Sequence, residues 1–197
     1  EPRCGREGAR MTYDPTVLPA GLPMPEDDGA ADHLEGRLVP PLFLETTQGE
    51  LNLAAAAADL LVLYVYPRTG RPGAEPPPGW DETPGARGCT PQSCGYRDWG
   101  EELRAMDATV VGLSAQTLDE QREAAERLEL PHAVAADPDL RLADALRLPT
   151  FDFEGKRLYK RLALVAEEGR IVKVFYPVFP PDENAAEVLA WLRGRLG

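Results

Sequence analysis

Cys89 and Cys94 lie five residues apart in the run Gly88-Cys89-Thr90-Pro91-Gln92-Ser93-Cys94-Gly95-Tyr96-Arg97-Asp98, and no other pair in the sequence is better suited to chemistry. A helix start is expected beside them. Pro91 suits the first helical position, because its φ is pre-set and its missing N–H would have had no helical partner; Thr90 before it is a good N-cap. A thiol at such a place meets the partial positive end of the helix and its free N–H groups, which favour thiolate over thiol. The second thiol is near enough to attack whatever forms on the first. The chemistry that fits is redox.

Helix geometry adds a constraint. Five steps along a continuous α-helix, with a rotation of ~500°, put two Cα atoms roughly 8.6 Å apart, whereas a disulfide needs them within about 7 Å. Cys89 and Cys94 therefore bond only if the first turn unwinds. A purely structural disulfide would not be placed where closing it breaks a helix, but one made and broken in every cycle could be. The plainer alternative is a pair of buried thiols near a helix start, since free cysteine is commonly buried.

Composition bounds what these thiols serve. The chain has 197 residues, the size of one domain or of one domain with an extension, and 43% hydrophobic residues are enough for a core. Its formal charge is −12 and no basic stripe is visible, which argues against nucleic acid as a partner. Three cysteines are few for an oxidised secreted scaffold and fit a reducing cytosol. The longest apolar run, Leu60 to Tyr66, is far too short to cross a bilayer, and the first thirty residues lack the apolar centre of a signal peptide. A soluble cytoplasmic protein is expected.

Along the chain, residues 1–36 read as a poorly structured N-terminal extension, broken by Pro15, Pro19, Pro23 and Pro25. Met11 is a plausible natural start, and Cys4 is given no function. Residues 37–197 form the domain. Phe43 to Thr46 and Glu50 to Leu53 suggest a hairpin, and the run Leu60 to Tyr66 a strand covered on both faces in a parallel sheet. Residues 68–88 form a long Pro/Gly-rich loop that ends at Cys89, so it either shapes the site's entrance or is a surface insert. A cysteine helix over about 91–106 follows, then a strand at Thr109 to Ser114. Thr117-Leu118-Asp119-Glu120 is a capping box for a helix that Pro131 stops. Then come a short strand at Ala133 to Ala136, a helix at Asp139 to Leu146 and a hairpin of Leu158 to Ala166 with Arg170 to Tyr176. A last helix is capped by Asp182, with Gly194 just past its end. This alternation gives an α/β sandwich with a mixed β-sheet flanked by helices.

The order of elements, with a helix-start cysteine after the first inner strand, resembles the thioredoxin-like fold. More narrowly, the sequence resembles the peroxiredoxins of the bacterioferritin-comigratory-protein or Q type over roughly residues 37–195. The run from Gly88 to Asp98 is similar almost position by position to that family's Gly-Cys-Thr-x-x-x-Cys-Gly-(aromatic)-Arg-Asp. Tyr64-Val65-Tyr66-Pro67, Gly112-Leu113-Ser114 and Ala136-Asp137-Pro138-Asp139 match its strand ends, and Lys160-Arg161-Leu162-Ala163-Leu164-Val165 resembles the strand that carries its active-site arginine.

The resemblance implies a thiol peroxidase for hydrogen peroxide and organic hydroperoxides. Cys89 would be the peroxidatic cysteine and Cys94 the resolving one, joined in an intramolecular disulfide that thioredoxin or a similar dithiol reduces. Arg161 would hold the thiolate and the peroxide through its fixed fork of donors. No metal, flavin or nicotinamide cofactor is implied, and the protein would be a monomer or a weak homodimer. One departure stands out. The family's Pro and Thr or Ser, seven and three residues before the cysteine, are replaced by Glu82 and Ala86. Thr83-Pro84-Gly85 looks like the same Thr-Pro-Gly displaced by Ala86-Arg87-Gly88, so Thr83 is carried as the hydroxyl that reaches the sulfur. Thr90, the backbone N–H groups around Cys89 and Arg87 are the groups able to substitute.

Three rivals remain at this point. A thiol–disulfide oxidoreductase is suggested by Leu148-Pro149-Thr150, which resembles the cis-proline loop of thioredoxins, although thioredoxins hold only two residues between their cysteines. A peroxide sensor would share the thiol chemistry but relay it. A zinc module using Cys4, Cys89, Cys94 and a histidine lacks a second short-spaced pair, and His33 and His132 lack ligand spacing.

Overall fold

The computed structural model describes residues 13–195. A seven-stranded mixed sheet runs through it, made of β1 (Phe43–Thr46), β2 (Gly49–Asn52), β3 (Leu60–Val65), β4 (Ala108–Ser114), β5 (Ala133–Ala136), β8 (Leu162–Glu167) and β9 (Arg170–Phe175) in the order β2-β1-β5-β4-β3-β8-β9. The pairs β3/β4 and β4/β5 are parallel; β8 lies antiparallel against β3 and β9 against β8. The expected α/β architecture with a flanked mixed sheet is what the chain forms.

β3 is apolar at every place because both of its faces are covered. Leu61, Leu63 and Val65 point into one core layer with α1 (Leu53–Ala56) and α5 (Arg141–Leu146). Val62 and Tyr64 point into the other layer, and Tyr66 just beyond the strand joins them. That second layer holds α2 (Cys89–Asp98), α3 (Gly100–Arg104) and α6 (Asn184–Arg195). Each buried aliphatic of this strand contributes about 1.5–3 kcal/mol, so β3 is a rigid base from which the loop to Cys89 departs. α4 (Leu118–Arg127) closes the sheet beyond β4, its capping box formed as expected between Thr117 and Glu120. No helix among the described residues is long and apolar enough to cross a membrane.

Four expectations change. The cysteine helix is not one element over 91–106; it starts at Cys89 and breaks at Trp99, whose ψ of 9° leaves the helical region, before α3 resumes. The long strand expected from Leu158 is interrupted. β7 (Lys156–Tyr159) pairs with β6 (Thr150–Phe153) in a separate two-stranded ribbon, and Lys160 N–H bonds Pro149 O, so β8 begins only at Leu162. Gly194 lies inside α6 rather than beyond it. Finally, residues 13–36 lie against the domain despite their prolines. Leu34 is fully buried in the core, Gly36 N–H bonds Ile171 O at 2.8 Å and Val39 N–H bonds Gly169 O at 2.9 Å, which covers the free edge of β9. Cys4 and Met11 lie outside the described residues.

One buried pair ties the sheet to acid stability. The Tyr64 hydroxyl bonds His132 Nε2 at 2.7 Å and stacks on Tyr96 with centroids 4.2 Å apart. Burial pushes the His132 pKa down to about 4 from an ordinary 6.5. The unfolded chain then binds a proton that the folded chain refuses between those values. Stability falls as pH drops from about 6.5 to 4, by at most about 3 kcal/mol. His132→Gln keeps an acceptor for Tyr64 without titrating, so urea midpoints measured from pH 7 to 4 should fall less steeply in that variant. An unchanged slope would contradict this account. Asp28, held down to about 2 by Lys160 and Tyr176, acts in a separate window below pH 4.

Candidate active site

Cys89 is placed by the end of β3, the loop 68–88 and a glycine. Gly88 caps α2 with φ of 110°, a left-handed conformation, and a side chain there would run into Pro181. Only glycine lets the backbone turn this sharply while the 181–183 turn packs onto α2. Cys89 is therefore the first helical residue, two positions earlier than Pro91 as expected from sequence. Pro91 is still harmless there, since the N–H groups of the first turn have no helical partner. The first helical bond runs from Gln92 N–H to Gly88 O at 3.0 Å. The predicted Thr90 cap does not form, and its hydroxyl has no partner among the described residues.

The Arg161 guanidinium reaches the sulfur. Nη2 lies 3.2 Å from Cys89 Sγ, and the same nitrogen donates to the carbonyls of Gly85, Ala86 and Arg87 at 3.1–3.2 Å. Nη1 donates to Gln92 Oε1 at 2.6 Å. Arg161 is 3% exposed and, among the described residues, takes part in no ion pair with a carboxylate. A buried cation is costly unless something nearby carries the opposite charge. Of the groups bonded to this guanidinium, only the Cys89 sulfur can ionise. As a thiol, the sulfur can also donate to Ala86 O at 3.6 Å.

Sequence reasoning missed the residues that hold the guanidinium. Gln92 accepts from Arg161 and donates from Nε2 to Asn184 Oδ1 at 3.0 Å, and the Tyr96 hydroxyl donates to that same oxygen at 2.7 Å. Gln92 and Asn184 are both fully buried. The available signal was spacing: Gln92 stands three residues after Cys89, on the same helix face. Asn184, at the start of α6, carried no signal at all.

Cys94 is half-buried on α2, and burial pushes its thiol pKa up. Both cysteines are free and on one unbroken helix, so the roughly 8.6 Å separation of an ideal helix applies to them. A solvent-open cavity of about 230 Å³ borders Cys89, with Tyr13, Trp80, Arg87 and Thr90 in its wall. The Pro/Gly-rich loop supplies much of that wall, which answers whether it is only a surface insert. Thr83 is the exception among the expected site residues. Its hydroxyl donates to Gly79 O at 2.7 Å, and it borders a second cavity, which it shares with Arg161, Met24 and Tyr176. Its proton is already spent on that carbonyl.

The family model for Redoxin matches residues 20–189. Peroxiredoxin Bcp of Bacillus subtilis is 28% identical over 163 residues, 80% of this chain and 94% of its own. Chloroplastic peroxiredoxin Q of Sedum lineare is 24% identical over 187 residues, 94% of this chain and 92% of its own. Among solved structures, peroxidoxin BcpB of Mycobacterium tuberculosis aligns with a TM-score of 0.65 at 25% identity, over 82% of this chain and 98% of that one. Xylella fastidiosa PrxQ aligns with a TM-score of 0.68 at 19% identity, over 84% of this chain and 99% of that one, a likeness of fold. With the family model spanning most of its length, the chain belongs to the Redoxin family, among the peroxiredoxins of the Bcp and Q kind.

Proposed function

We propose that this chain reduces hydrogen peroxide and organic hydroperoxides with Cys89 as the peroxidatic thiolate and Cys94 as the resolving thiol. Thiol-dependent peroxidase activity follows from the peroxiredoxin relatives; the assignment to these sulfurs is the proposal. The observation that carries it is the buried Arg161 guanidinium, bonded to one ionisable group, the sulfur at the start of α2.

Cys89 thiolate attacks the terminal, hydrogen-bearing oxygen of the hydroperoxide. An S–O bond forms, the O–O bond breaks, and the other oxygen leaves with the electron pair, taking a proton to become water or an alcohol. Cys89 is left as a sulfenic acid. The first turn of α2 then unwinds, Cys94 thiolate attacks the oxidised sulfur, and hydroxide leaves as a disulfide forms. Unwinding also frees Cys94 from the burial that holds it protonated. A dithiol of the thioredoxin kind reduces the disulfide by exchange through a mixed disulfide. Such a cycle suits a reducing compartment.

The nearest rival, disulfide reduction of other proteins, is separated by one assay. With thioredoxin, its reductase and NADPH supplied, the chain should consume hydrogen peroxide catalytically, yet without thioredoxin it should not speed insulin disulfide reduction beyond the rate of dithiothreitol alone. Insulin reduction without peroxide turnover would replace the peroxidase reading with the oxidoreductase one.

A further inference from the structure

Among the described residues, three hydrogen-bond donors near Cys89 are buried without partners: the Thr90 hydroxyl, Arg87 Nε–H and Arg161 Nε–H. Thr90 is 1% exposed, and its hydroxyl is buried and unbonded. Arg87 is nearly as buried. It spends Nη1 on Asp81 at 3.0 and 3.1 Å and Nη2 on Val17 O at 3.1 Å, and its guanidinium stacks 4.7 Å from the centre of the Tyr13 ring. Its Nε–H is buried with nothing to accept it among the described residues. Both residues border the same cavity as Cys89; Arg161 does not. Buried donors are normally satisfied, so two of them around one nucleophile in one cavity need a ligand that accepts from both.

The peroxidase reaction supplies that ligand. When the sulfur takes one oxygen, the other develops negative charge as the O–O bond opens, and it must be met by donors fixed in advance. Arg161 Nη2 is already divided among three carbonyls and the sulfur. Thr83 has turned its hydroxyl to Gly79. We propose that the Thr90 hydroxyl and Arg87 Nε–H are the donors that hold the hydroperoxide and stabilise its leaving oxygen. This rests on the peroxidase reading and adds to it which groups bind the substrate. Because both donors serve the peroxide oxygens and not the rest of the molecule, small and bulky hydroperoxides depend on them alike. The leaving oxygen takes its proton from solvent, to which the cavity opens.

The test compares two reactions of the same thiolate. Oxidation of Cys89 by hydrogen peroxide and by cumene hydroperoxide is followed by stopped-flow tryptophan fluorescence, and alkylation by iodoacetamide is timed by mass. Iodide leaves without needing a donor to oxygen. Thr90→Val keeps the β-branched shape and should slow oxidation by either peroxide about 100-fold, as loss of one oxyanion donor does. Its alkylation should stay within about twofold, because the thiolate itself is unchanged. Thr90→Ser should restore oxidation to within about threefold, since the hydroxyl is back. Arg87→Lys keeps the charge beside Asp81, removes the Nε–H, and should slow oxidation but not alkylation. Equal losses in both reactions, or no loss in oxidation, would overturn the assignment while wild type still reacts. If peroxide fails to oxidise wild-type Cys89 at all, the peroxidase reading itself falls, and this assignment with it.

Discussion

Replacing Cys89 by Ser should take dithiol-dependent peroxide consumption to background, a loss of roughly 10³-fold or more, as expected for removing the nucleophile of a covalent step. The substitution changes little else in shape. Serine is smaller by a fraction of an atom, the site is 3% exposed, and Gly88 still fixes the turn. A serine hydroxyl stays protonated at neutral pH and attacks an O–O bond poorly, whatever donors surround it. The variant also removes the one ionisable group bonded to Arg161. Peroxide turnover by Cys89→Ser at a wild-type rate would remove the basis of the assignment.

Arg161→Met should be nearly as damaging to chemistry and more so to the fold. Oxidation of Cys89 should slow about 100-fold or more, since a fixed cationic donor at a reacting atom is worth several kcal/mol in a water-poor site. Unfolding free energy should drop by about 3–5 kcal/mol, because Gln92 Oε1 and three loop carbonyls lose their donor together. Arg161→Lys should recover only part of either loss. One ammonium cannot replace a planar fork whose two nitrogens reach Gln92 on one side and the sulfur on the other. Stopped-flow oxidation and urea titration read the two effects separately. Arg161→Met with near wild-type oxidation would show that the guanidinium is structural only.

How much of this was legible in the sequence follows from where the information lies. The run from Gly88 to Asp98 is local, so the two cysteines and the helix they share could be read from it directly. β3 was legible because burial on both faces leaves an unbroken apolar run, and α4 because its capping box is a local device. The helix start was placed two residues late. Pro91 and Thr90 are good local signals, but the packing of Pro181 against Gly88 decides the turn, and that contact crosses more than ninety residues. For Thr83, a motif match could not show that its hydroxyl donates to Gly79 O. Gln92 offered only its spacing from Cys89, and Asn184 offered nothing, because a buried amide bond between two helices leaves no pattern at its far end. The packing of the segment around Leu34 left no sequence signal, because proline counts against helix and strand but not against packing; its backbone bonds go to the edge of β9.

The most direct measurement is intact mass with peptide mapping after one equivalent of hydrogen peroxide, on wild type and on Cys94→Ser. The account predicts that wild type loses two hydrogens and carries a disulfide between Cys89 and Cys94, while the variant gains a single oxygen on Cys89. A wild-type chain whose Cys89 remains a thiol, or whose oxidised sulfur pairs with anything other than Cys94, would contradict it.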